Sequence, residues 1–130
     1  MKIIYYDLET TGLDPLLNTI HQLSMITEVD GVEVDRLNLF ISPISRFRKV
    51  ITFKEGDEWK REFSFGLKEY NQSALDIAGM TIEQLVDRGL DGNKAFAELK
   101  KFLGRNCNKF DKNDKYFLIG FNNRKFDDNF

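Results

Sequence analysis

The sequence predicts one α/β domain of 130 residues in which antiparallel strands come first, helices follow, and a last strand returns alongside the first. Three observations carry this reading. Apolar stretches of strand type crowd the first forty or so residues and are split by Asp30-Gly31, a strong hairpin signal. Helical periodicity with a capping pattern then sets in from Thr81. Finally, Tyr116-Phe117-Leu118-Ile119 is a continuous apolar run, as expected of a strand buried on both faces.

The elements follow in order. Ile3-Ile4-Tyr5-Tyr6 reads as a buried strand that stops near Gly12, and Ile20 to Val29 as a second strand. Val32, Val34, Leu37, Leu39 and Ile41 nearly alternate with polar residues, giving a third strand with one wet face that ends by Pro43. Residues 46–71 break the pattern with dense charges of both signs around Phe47, Phe53, Trp59 and Tyr70; they read as an insertion or an extended hairpin. Thr81 with Gln84 forms a capping box, so a helix should run from Ile82 and stop by Gly89. A second helix fits Asn93 to Leu103, with Ala95, Phe96, Leu99, Phe102 and Leu103 on one face and Gly104 as its stop. After the apolar strand, Asn122-Asn123 turns the chain and a further helix should begin near Phe126.

Composition narrows the function. Nineteen basic and 21 acidic residues leave a net charge of −2, which argues against a protein that coats nucleic acid with clustered Lys and Arg. It leaves room for a nuclease that grips phosphate through metal ions. The single cysteine, Cys107, cannot form an internal disulfide, so a reducing, cytoplasmic setting is expected. No apolar run approaches the roughly 20 residues of a membrane helix, so no membrane association is expected. Ile3 to Tyr6 is cut short by Asp7, unlike a signal peptide.

Asp7-Leu8-Glu9 is the sharpest chemical signal. Residues i and i+2 of a strand share a face, so the two carboxylates should stand side by side at the strand's C-terminal end. At about 5 Å and an effective dielectric near 20 their repulsion is of order 3 kcal/mol. A divalent cation or a shared proton relieves it, and clustered carboxylate oxygens suit Mg²⁺ or Mn²⁺. Asp127 is the natural third ligand if the strand at 116–119 lies beside the first and parallel to it. On Asp7 and Glu9 alone, a solvated turn is the commoner explanation of such a pattern.

Longer motifs add to this. Asp7-Leu8-Glu9-Thr10-Thr11-Gly12 resembles the first motif of the DEDD superfamily of 3′–5′ exonucleases, the DnaQ-like group with a ribonuclease H-like fold. Ile20-His21-Gln22-Leu23 with Asp30-Gly31 resembles that family's second strand and hairpin. The stretch from Ala74 to Leu85 resembles its hGIT-x-E-x-L segment, with Met80 in place of Ile. Asn123-Arg124-Lys125-Phe126-Asp127 resembles its second motif, N-x-x-F-D, with Asn122 where His is common. The similarity spans nearly the whole chain apart from residues 46–71.

The resemblance implies a ribonuclease H-like mixed sheet and two-metal hydrolysis of phosphodiesters at the 3′ end of single-stranded DNA or RNA. It implies that Asp7 bridges two ions, Mg²⁺ or Mn²⁺, that Glu9 binds the ion activating water, and that Asp127 binds the second. Thr10, Thr11, Gly12, Leu13 and Asn123 would border the terminal nucleotide, with Leu13 packing on its base; on chemistry alone a core or turn leucine is an equal account of Leu13. The family also carries a fourth carboxylate and a His or Tyr in a third motif well beyond the second. The sequence stops three residues after Asp127, so the domain is expected to lack its last strand and helices and to be catalytically incomplete.

Other expectations follow. An unpaired edge at the strand 116–119 invites self-association, and a polymerase or another replication or repair protein is a candidate partner. The alternative function is a non-catalytic module of the same fold that binds nucleic acid or a protein. His21 reads as a surface or partly buried strand residue, with nothing to place it beside Asp127. Arg46, Arg48, Lys49, Lys54, Lys60 and Arg61, interleaved with Phe47, Phe53 and Trp59, could form a surface for single strands. Glu55, Asp57, Glu58 and Glu62 dilute that charge and favour a solvated hairpin. Asp111 and Asp114 read as solvated loop acids, and Cys107 as a lone thiol.

Overall fold

Alternation of side chains governs the first half of the chain. In the strand β1 (Lys2–Thr10), Ile4, Tyr6, Leu8 and Thr10 turn to one face while Tyr5, Asp7 and Glu9 turn to the other and are exposed. The computed structural model describes residues 1–120, and the side chains of all of these but 45–51 and 62–65. Strand β2 (Ile20–Val29) pairs antiparallel with β1, and β3 (Val32–Phe40) pairs antiparallel with β2. The β2–β3 connection is the two-residue turn read from Asp30-Gly31. Both residues have positive φ, 51° and 84°, as a tight hairpin turn that follows strand twist requires.

Residues 44–67 form a separate two-stranded antiparallel ribbon, β4 (Ile44–Glu55) and β5 (Glu58–Leu67), joined at Gly56-Asp57 with φ 63° at Gly56. Three helices follow. The first, α1 (Gln72–Ala78), has no counterpart in the sequence reading. Asn71 caps its start by accepting from the Ser73 N–H, and Gly79 closes it in the left-handed conformation at φ 68°. The second, α2 (Ile82–Arg88), carries the expected capping box: Gln84 N–H donates to Thr81 Oγ1 and Thr81 N–H donates to Gln84 Oε1.

The third helix, α3 (Gly92–Asn106), runs past the expected stop at Gly104. Its last turn is held from the side instead. The Asn106 amide donates to Phe102 O at 2.7 Å and to Asp35 Oδ2 at 2.6 Å, and Arg105 pairs with the same carboxylate at 2.7 Å. Phe96 leaves the expected apolar face: it is 61% exposed, with the Lys100 ammonium 5.7 Å from its ring centroid. The buried line runs through Ala95 and Phe102, and Phe96 stands one residue, about 100°, off it.

Strand β6 (Phe117–Gly120) joins β1 in parallel, as expected, and the main sheet runs β3-β2-β1-β6. Together with the flanking helices this is the mixed sheet that the sequence predicts. Its burial is not as expected. Phe117, Leu118 and Ile119 are 62%, 54% and 45% exposed, because β6 is the outer strand of the described sheet and its faces are uncovered. The main core lies under the opposite face of β1 and β2, where Ile4, Leu23, Met25 and Leu39 meet Ala95 and Phe102 of α3. Asp114 is not merely solvated. It accepts from Lys2 Nζ and from Asn108 N–H, each at 2.6 Å, and pins the loop after α3 to the start of β1. Among the described residues no helix is long and apolar enough to cross a membrane.

Candidate active site

The outward face of β1 sets the two carboxylates in line. Asp7 pairs with Ser24 across the sheet and Glu9 with Gln22, so the β2 partners of both carboxylates are neutral. Gln22 Nε2 and Ser24 Oγ both donate to Asn38 Oδ1, at 2.9 and 3.1 Å. The cations Lys2, Arg36, Lys60, Lys101 and Arg105 are engaged elsewhere, with Asp114, Glu33, Glu55, Glu98 and Asp35. Among the described residues Asp7 enters no ion pair. Hard, exposed oxygens on one strand face without a protein cation at Asp7 suit a magnesium-type ion in kind. Two carboxylates do not complete such a site, and among the described residues there is no group of three or more His, Cys, Asp or Glu able to hold a metal.

The third expected ligand, Asp127, and the expected contact Asn123 lie outside the described residues, as does the expected helix near Phe126. The strand that leads to them is well placed. Gly120, the last residue of β6, pairs with Tyr6, one residue before Asp7 on the neighbouring strand. A parallel partner thus carries the chain toward the carboxylate end of β1, where ligands of open α/β sheets are bound.

The loop after Glu9 begins at a register shift between Glu9 and Thr10. Thr10 and Thr11 are buried beneath it. Thr10 Oγ1 donates to Gly12 O at 2.7 Å, and Thr11 Oγ1 accepts from Thr19 N–H at 3.0 Å and donates to Glu69 O at 3.3 Å. A Cβ on Gly12 would stand 2.4 Å from Asn18 Oδ1. That oxygen accepts from Asp14 N–H at 3.0 Å, while Asn18 Nδ2 donates to Glu69 O at 3.0 Å. So the close approach at Gly12 is to the loop's own asparagine. What the loop offers to solvent is apolar: Leu13, Leu16 and Leu17 are 80%, 91% and 50% exposed. Leu16 and Leu17 escaped the sequence reading. The Asp14-Pro15 turn signal before them could have marked them as loop residues with no core to join.

His21 departs from expectation. It is fully buried, on the inner face of β2 with Leu23, Met25 and Thr27, whereas Asp7 and Glu9 stand on the outer face. Among the described residues neither ring nitrogen has a hydrogen-bond partner. Burial lowers its pKa below the ordinary 6.5, against a weaker upward pull from its own main chain, which stands outside hydrogen-bonding geometry. Across the sheet from the carboxylates, this imidazole is not their base.

No protein-family model matches the sequence, and no curated protein is similar to it by sequence. Solved structures do match. Metal-free exonuclease I of E. coli in complex with single-stranded DNA is 18% identical, with a TM-score of 0.66 over 98% of this chain and 22% of that one. A moderately thermophilic exonuclease I from Methylocaldum szegediense is 21% identical, with a TM-score of 0.63 over 98% of this chain and 22% of that one. The exonuclease I/SSB-Ct complex is 19% identical, with a TM-score of 0.64 over the same 98% and 22%. The chain therefore spans about a fifth of the length of the proteins it matches, and over that span its fold is the fold of exonuclease I.

Proposed function

We propose that the chain is the carboxylate-bearing part of a metal-dependent 3′–5′ exonuclease that removes nucleotides from single-stranded ends. The observation that carries this is the pair Asp7 and Glu9, exposed on one face at the end of β1, in a fold shared with exonuclease I. Like charges side by side repel, and a divalent cation relieves that repulsion. The complex of that fold with single-stranded DNA supports DNA as the substrate, and the complex with SSB-Ct supports a replication or repair protein as partner. The exposed apolar edge at β6 supports self-association as well.

In this reading Asp7, Glu9 and Asp127 hold Mg²⁺ or Mn²⁺. The ions, when bound, lower the pKa of water and neutralise charge on the scissile phosphate. Asp7 and Glu9 supply fixed negative charge that orients the reacting phosphate through what they hold. The strapped loop at 10–19 keeps Leu13 and Leu16 beside them as an apolar rest for the terminal base. Buried His21 takes no part.

The test is metal linkage. A ligand that binds only the folded state raises its melting temperature. Mn²⁺ should stabilise the chain, and Asp7→Asn should raise the melting temperature in EDTA while shrinking the Mn²⁺ gain. Loss of labelled 3′ nucleotides from single-stranded DNA, measured on a chain extended to the length of its structural neighbours, should fall at least 100-fold in the same variant. An unchanged Mn²⁺ response would refute the site.

A further inference from the structure

Two faces of the β4–β5 ribbon differ in charge, which the sequence alone did not reveal. Directly opposed residues of an antiparallel pair share a face. Phe53 opposes Lys60 and Glu55 opposes Glu58, so these four share one side, where Lys60 Nζ pairs with Glu55 at 2.6 Å. Lys54 opposes Trp59 and Thr52 opposes Arg61, so these four share the other. Between residues 52 and 61 the strand acids therefore sit with Lys60. Lys54 and Arg61 flank Trp59 with no acid beside them, and Asp57 lies in the turn. Among the described residues neither Lys54 nor Arg61 enters an ion pair, and Trp59 is 70% exposed.

The ribbon is also tied to the candidate active site. At its base Lys68 N–H donates to Pro43 O at 2.9 Å. One residue on, Glu69 O accepts from Thr11 Oγ1 and Asn18 Nδ2, and Asn71 N–H donates to Thr11 O at 2.6 Å. The ribbon thus springs from the loop that follows Glu9. Eight residues separate Leu67 from Trp59, a reach of about 27 Å at roughly 3.4 Å per residue.

We propose that the Lys54–Trp59–Arg61 face of this ribbon is a stacking surface for single-stranded nucleic acid approaching the Asp7–Glu9 site. An exposed aromatic ring stacks on any base, and flanking cations meet the backbone phosphates, so binding is tolerant of sequence and sensitive to salt. The proposal deepens the nuclease reading and rests on it for the choice of nucleic acid over an acidic protein surface.

Trp59 is the sole tryptophan of the chain, so its fluorescence reports on this face alone. The 130-residue chain is titrated in EDTA, where no hydrolysis occurs, with a dT16 strand, a dT4 strand, a 16-base-pair duplex and polyglutamate. The expected result is quenching of Trp59 emission by dT16. It should exceed that by dT4, which is too short for a span of about eight stacked nucleotides at roughly 3.4 Å each. Duplex and polyglutamate should have little effect. Trp59→Ala should weaken dT16 binding, followed by anisotropy, roughly tenfold, and Trp59→Phe should restore most of it. Lys54→Ala and Arg61→Ala should each lower the salt slope by about 0.7. Lys60→Ala, on the opposite side, should change little, and circular dichroism checks that each variant is folded. Unchanged emission with dT16, equal quenching by polyglutamate, or full-strength binding by Trp59→Ala would overturn the proposal. The nuclease reading is decided separately, by the Mn²⁺ response of Asp7→Asn.

Discussion

The buried imidazole of His21 makes stability depend on pH in a window above that of the shifted carboxylates. It is the chain's single histidine. Its folded pKa is lowered by burial from 6.5, so the unfolded chain takes up a proton at a pH where the folded one does not. Unfolding stability then rises with pH wherever the unfolded state holds more protons. His21 contributes its full stability above about pH 6.5, and loses it as pH falls from there toward the depressed folded value, by about 1.4 kcal/mol per pH unit at most. The carboxylates Asp30, Glu33, Asp35 and Asp114 all have lowered pKa values, from 3.8 or 4.5, and so act at more acid pH.

The perturbation is His21→Leu. Two ring nitrogens without partners among the described residues each forgo a hydrogen bond in the interior, a penalty of about 1–3 kcal/mol apiece. An apolar side chain among Leu23 and Met25 removes both penalties at some cost in shape. The variant should be as stable as the parent or more so, by up to about 3 kcal/mol at pH 7. Its stability should be flat between pH 5 and 6.5, where the parent's falls. Urea unfolding at half-unit steps from pH 5 to 7.5 measures both. A variant that keeps the parent's slope, or that loses more than about 2 kcal/mol at pH 7, would show that the imidazole has a partner.

Two further outcomes test the scaffold. Gly12→Ala should cost about 1–3 kcal/mol, because its Cβ must expel the Asn18 amide from Asp14 N–H and Glu69 O. Asn18→Ala should cost less, and in the double variant Gly12→Ala should be nearly free, which a thermodynamic cycle measures. Asn106→Ala should cost about 1–2 kcal/mol by freeing Phe102 O and one contact of Asp35, and amide exchange should accelerate in the last turn of α3 first.

What the sequence disclosed follows from which signals are local. The turn at Asp30-Gly31 and the box at Thr81 and Gln84 are fixed by neighbours in the chain, and both are present. The shared face of Asp7 and Glu9 needs only a strand period of two. Helix α1 escaped because Gln72–Ala78 is short and its cap, Asn71, lies in a charged stretch without apolar periodicity. Gly104 misled because a helix end held by Asn106 and Arg105 against Asp35 is a contact 70 residues away in sequence. The exposure of Phe117 to Ile119 was unreadable too, since an apolar run specifies no covering partner. His21 was legible in part: it stands two residues before Leu23 and four before Met25, the parity of the buried face.

The same parity organises function. On β1 and β2 one face holds the core and His21, and the other holds Asp7, Glu9, Gln22 and Ser24, so no side chain serves both. The carboxylate row ends at the register shift after Glu9, Thr10 continues the inward parity of Ile4, Tyr6 and Leu8, and Thr11 bonds to Thr19, Glu69 and Asn71. A single stretch from Glu9 to Asn18 thereby fixes the end of the carboxylate row and the base of the ribbon. Because Asn18 bonds both Asp14 and Glu69, it couples the leucine tip to the base of the ribbon, which Thr11 also holds through Glu69 and Asn71. Strand parity places the charges, and this loop ties their position to that of the Trp59 face.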